Sequence, residues 1–162
     1  MILGMTISVF IHVVLSLIGL VAGFVAVFGL LSGEKRGGWT EVFLVTTVLT
    51  SATGFILPAP HLLPSHIVGI ISLVVLAVAL YALYGQHLVG SWRSIYVITA
   101  VAALWLNSFV FVAQAFLKVA PLHALAPTGS EPPFAVAELV VLAAFVLLGF
   151  RAVRGARGLL AA

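Results

Sequence analysis

The sequence predicts an all-α polytopic membrane protein: one bundle of five transmembrane helices, N-terminus outside and C-terminus in the cytoplasm. Three observations predict it. Of 162 residues, 64% are hydrophobic and only 7% charged, and the mean hydropathy is +1.33. A soluble domain carries roughly a quarter of its residues charged to keep its surface hydrated, so this surface has to face hydrocarbon. Five apolar runs approach the ~20 residues a helix needs to cross a bilayer core. When those runs cross in succession, Lys35, Arg36, Arg93, Arg151, Arg154 and Arg157 fall on one side and Lys118 alone on the other, which by the positive-inside rule makes the first side cytoplasmic.

The first run covers residues 3–31. No Lys or Arg precedes it, and it exceeds the roughly 7–15 apolar residues of a signal peptide, so it reads as a retained span. "SGEKRGGW" ends it, and the second run follows at 40–57. "PAPHLLP" then marks an outer turn before the third run, 65–86, with Ser65 after Pro64 as a helix-start signal. "GQHLVGSW" separates this from the fourth run, 92–119, and "APLHALAPTGSEPP" separates the fourth from the fifth, 134–150. Pro132 and Pro133 suit the first turn of that last helix, where a missing N–H costs nothing. Trp39, Trp92 and Tyr96 are expected at the cytoplasmic boundary, where amphipathic rings anchor. The basic C-terminal tail reads as a topology anchor. No repeat, linker or second domain breaks the chain, so residues 1–162 form one unit.

Several function classes drop out. Seven scattered basic residues make a topology signal, not a nucleic-acid footprint. Cysteine is absent, which removes disulfides, thiolate nucleophiles and thiolate metal sites. Aspartate is absent too, and there is no HExxH, P-loop or Ser–His–Asp arrangement, so hydrolase and phosphotransfer chemistry are disfavoured.

In lipid, helices meet through small and polar residues. The first helix carries such a seam in His12, Ser16, Gly19, Gly23 and Ala26, and the fourth in Ala100, Ala103, Asn107 and Gln114. The second is studded with Thr46, Thr47, Thr50, Ser51 and Thr53, hydroxyls that can bond to their own preceding turn. The predicted orientation collects His12, His66, Gln114 and Glu138 in the outer half of the bilayer, with His61, His123 and Glu131 in the outer loops and His87 alone at the cytoplasmic side.

An intramembrane ionisable group costs a few kcal/mol even on lenient scales, of about 2.5–3.5 kcal/mol, and therefore marks a candidate site. His12, His66 and Glu138 suit a divalent transition metal. His12 and His66 alone suit the axial positions of a haem. Gln114, Asn107 and the histidines suit a quinone-like organic ligand. His61 and His123 are secondary candidates, and the 119–133 segment is a lid over the pocket.

Structural roles stand beside each of these: an interfacial, solvated His66, solvent-facing His61 and His123, and Asn107 and Gln114 as interhelical glue worth roughly 0.6 kcal/mol each. The first expectation is therefore a small bacterial-type inner-membrane protein that binds a ligand in its outer half, possessing a redox or binding role. The alternatives are an oligomeric proton- or ion-coupled transporter, with Glu138 as carrier, and a scaffold subunit whose glycine and alanine seams meet a partner. The partners expected are the bilayer, a small molecule or metal, and further copies or a larger membrane complex, with no nucleic acid.

Overall fold

A computed structural model of the protein describes residues 6–32, 37–57 and 64–158; His61, Lys35 and Arg36 lie outside them. Among the described residues there are six α-helices: α1 (Ile7–Leu31), α2 (Gly37–Gly54), α3 (Pro64–Leu80), α4 (Trp92–Lys118), α5 (Ala120–Leu125) and α6 (Pro132–Gly158). Four stretches are long and apolar enough to cross a membrane: Ile7–Leu31, Ser65–Gly85, Trp92–Lys118 and Pro132–Ala156. The chain is a membrane-embedded helical protein. The second predicted run does form a helix, but α2 starts at Gly37, ends at Gly54 and is not one of those four, because its hydroxyls and Glu41 dilute its apolar residues.

Local chemistry explains the ends. Thr6 caps α1, its hydroxyl accepting the Val9 N–H at 3.4 Å. Beyond Leu80, α3 widens into a π-helical turn, Tyr81–Gly85. The turn that follows uses left-handed backbone at His87 (φ 48°), Leu88 (φ 59°) and Gly90 (φ 57°). The break predicted after the fourth run holds a short helix of its own, α5, opened by Pro121. The last helix runs past residue 150 because Arg151, Ala152 and Arg154 are good helix formers. Arg93 also donates to the Ala156 carbonyl at 3.3 Å, occupying an acceptor at that helix end.

Side-chain pairs give the packing directions. His12 meets Thr53 while Gly23 meets Phe43, so α1 and α2 are antiparallel. Ser51 bonds Ser72 at 3.0 Å between α2 and α3. α4 runs antiparallel to α1 through Asn107 with Ser16 and Leu104 with Gly23. α6 opposes α4 through Phe116 with Phe134 and Val101 with Gly149. α4 is the hub, touching α1, α3, α5 and α6, with half of its most apolar stretch buried against 6% for α6. The core gathers around Phe43, Leu44, Leu76, Val97 and Leu104. Tyr96 belongs to this core: its phenol bonds Thr40 near the start of α2 and its ring is buried. Trp92 keeps an edge-on contact with Tyr81 at 5.3 Å, and Trp39 is exposed.

Candidate functional site

The packing seam of α1 is real and internal. Gly19, Gly23 and Ala26 are all buried. A Cβ on Gly19 would lie 3.1 Å from the hydroxyls of both Thr46 and Thr47, and one on Gly23 only 2.5 Å from Leu104 and 2.8 Å from Phe43. These small residues let α2 and α4 of the same chain approach α1, so they do not offer the partner-binding surface expected of a scaffold.

That close approach brings His12 against the last turn of α2. Its Nδ1 lies 3.0 Å from Thr53 Oγ1. Thr53 has one hydroxyl proton, and it points to the Leu49 carbonyl at 2.7 Å, with Thr50's carbonyl at 3.2 Å. The hydroxyl therefore accepts from His12, and Nδ1 carries the proton. In the neutral ring this leaves Nε2 with a free lone pair, and no hydrogen bond among the described residues takes it. An imidazole held through one nitrogen with the other open is the usual arrangement of a histidine that binds a ligand or a proton.

His66 reaches the same end of α2 from the opposite flank. Its ring lies 5.6 Å from that of Phe55, tilted by 40°. Phe55 also closes on Gly69, where a Cβ would sit 3.2 Å from the ring. The last turn of α2 thus carries one imidazole on its α1 side and another on its α3 side.

The other predicted residues are placed differently. Asn107 is buried and donates to the Ser16 carbonyl at 3.2 Å, tying α4 to α1; it is interhelical glue. Gln114, one heptad further along the same helix, is exposed, because α1 has only its half-covered first turns there and no longer seals that face. His123 is exposed on α5. Both carboxylate oxygens of Glu138 are buried with no partner among the described residues. Among those residues no three of His, Cys, Asp or Glu come together to hold a metal ion. The two-histidine, one-carboxylate set is therefore not assembled there: His12 is engaged by Thr53 and His66 lies against Phe55.

Sequence reasoning missed one participant and one unpartnered neighbour in sequence. Thr53 orients the histidine, and Thr50 has a buried hydroxyl oxygen with no hydrogen-bond partner among the described residues. Both belong to the hydroxyl series of α2, a visible signal, but only the antiparallel α1–α2 pairing says which hydroxyl meets His12.

The loop beside this end is self-bonded. Glu131 accepts from the Thr128 N–H at 3.0 Å, the Thr128 hydroxyl at 2.9 Å and the Ser130 N–H at 3.1 Å. Desolvation pushes its carboxyl up, but these hydrogen bonds together outweigh it and hold the group below the ordinary value of 4.5. No family model, no curated protein and no solved structure matches this chain.

Proposed function

We propose that this is a five-pass protein of a bacterial-type cytoplasmic membrane, N-terminus outside. Its outer half binds a small apolar molecule with a hydroxyl-bearing, quinol-like head. The antiparallel sequence of neighbouring helices supports five passes, with α2 packed between α1 and α3 in chain order. The observation that carries the ligand reading is the 3.0 Å contact of His12 Nδ1 with a Thr53 hydroxyl that also lies 2.7 Å from the Leu49 carbonyl. Nδ1–H donates to the Thr53 hydroxyl, and the open Nε2 accepts a hydrogen bond from the ligand's hydroxyl. Phe55 and His66 pack together on the α3 flank of α2 and lie away from this head group. The absence of a three-donor cluster among the described residues favours an organic head over a chelated metal.

Binding of a short-chain quinol to the purified protein tests this by calorimetry. His12→Ala should lower affinity at least tenfold, the ~1.4 kcal/mol of one hydrogen bond to a buried group. Thr53→Val, which frees the ring to adopt the other tautomer, should lower it severalfold. Absence of binding, combined with a Soret band or stoichiometric metal that disappears in His12→Ala, would replace the quinol with haem or metal.

A second reading rests on Glu138, whose buried, unpartnered carboxylate oxygens in α6 suit proton carriage. Proton flux through liposomes that Glu138→Gln abolishes and His12→Ala leaves intact would establish that reading instead.

A further inference from the structure

A groove of about 550 Å³ runs between α4 and α6, walled by Ile98, Ala102 and Trp105 on one side and by Phe145, Gly149 and Phe150 on the other. It exists because Ala102 and Gly149 are small. A Cβ on Gly149 would meet only Val101, at 3.4 Å. The volume is within the roughly 300–1,000 Å³ typical of ligand pockets, and no charged side chain lines it. Its α6 wall runs from Leu142 to Val153. At 1.5 Å per residue that is about 16 Å, the depth of a single leaflet in a core ~30 Å thick.

The chemistry changes at one rim. The Arg154 guanidinium lies 4.0 Å above the Phe150 ring, itself part of the groove wall. Arg151, one turn back on α6, is exposed, and Arg93 reaches from α4 to the Ala156 carbonyl. No acidic residue occurs in α4 or in α6 after Glu138.

We infer that this groove seats an anionic phospholipid, with one acyl chain along the α4–α6 wall and its phosphate on Arg154, supported by Arg151. An apolar groove alone accepts any lipid; the rim of guanidiniums selects the negative one. A planar guanidinium presents paired N–H donors that match phosphate oxygens, and basic pockets between membrane helices take anionic headgroups in this way. Stacking on Phe150 holds the cation where the headgroup arrives.

The whole protein in detergent is titrated with phosphatidylglycerol and phosphatidylcholine of identical chains, with bound lipid read by native mass spectrometry. Phosphatidylglycerol should bind roughly fivefold tighter or more, the equivalent of ~1 kcal/mol per arginine engaged. Arg154→Gln should remove most of that preference, and Arg154→Lys, which keeps the charge but not the paired donors, should retain part of it. Ala102→Leu, which fills the groove, should weaken both lipids alike, and glycerol 3-phosphate should not compete. Equal binding of the two lipids overturns the proposal, as does an unchanged preference in Arg154→Gln. Competition by glycerol 3-phosphate overturns it in favour of a plain phosphate site. If Ala102→Leu dissolves a dimer without changing lipid binding, the groove is an interface between copies and the lipid assignment fails.

Discussion

Gly23 marks the tightest crossing of the bundle. The atoms a side chain would strike there belong to Phe43 and Leu104, both 0% exposed, so neither has room to retreat. Gly23→Ala should therefore cost about 1–3 kcal/mol by overpacking, read as a lower thermal midpoint in detergent. Gly54→Ala is the control: its Cβ would meet only His12, at 3.6 Å, so stability should stay level or rise slightly as a helical glycine is lost. Gly19 differs again. Its neighbours are hydroxyl oxygens whose protons are committed to the Val42 and Phe43 carbonyls at 2.6 and 2.7 Å, which leaves their lone pairs facing the glycine. That geometry suits weak Cα–H···O contacts. The α1 seam was legible because small residues repeat every three or four positions in lipid-buried sequence. The partner of each glycine was not, since nothing in the spacing says whether a seam meets another helix of the chain or a second chain.

α2 is the long helix that falls short of the apolar spans, yet it contributes four buried residues, Phe43, Leu44, Thr46 and Thr47. It tolerates most of its hydroxyls because Thr46 returns to Val42, Thr47 to Phe43 and Thr53 to Leu49, while Ser51 donates to Ser72; Thr50 is the exception. That much follows from residue type. The site was harder to see for the opposite reason: Thr53 acts on His12 across a gap of 41 positions, a relation that only tertiary packing creates. The connection into α6 shows the same mixture. Its prolines and glycine announce a turn, but the three donors gathered on Glu131 depend on the backbone conformation at Gly129 (φ 71°). Because the folded carboxyl titrates below 4.5, its contribution to loop order is fully present above that value. It is lost as pH falls through the lower, folded value. Protection of the Thr128 and Ser130 amides relative to their intrinsic exchange rates should fall as the pH drops below 4.5, and Glu131→Gln should show the low protection already at neutral pH.

Composition alone establishes membrane embedding, because a chain with 7% charged residues has no other solvent to face. The arrangement of helices is another matter. Between apolar faces lipid exerts no preference, so α4 becomes the hub through particular fits such as Leu104 into Gly23 and Asn107 onto Ser16. Orientation can be tested directly, since the chain has no cysteine of its own. Ala124→Cys, on α5, should react with a membrane-impermeant maleimide in intact cells. Val89→Cys, in the exposed turn between α3 and α4, should react only after permeabilisation. The reverse pattern would invert the protein, and labelling of both from one side would mean that α4 does not cross.

The contact at Gly155 carries a consequence for biogenesis. A Cβ there would lie 2.7 and 2.8 Å from the carbonyl oxygens of Leu31 and Leu30, so the end of α1 is covered by the end of α6. A nascent chain that has emerged only as far as residue 131 has no lid for those oxygens. α6 closes over α1 only once its own end is made, and Gly155→Ala, which would strike that backbone, should weaken the closure and lower the thermal midpoint in detergent.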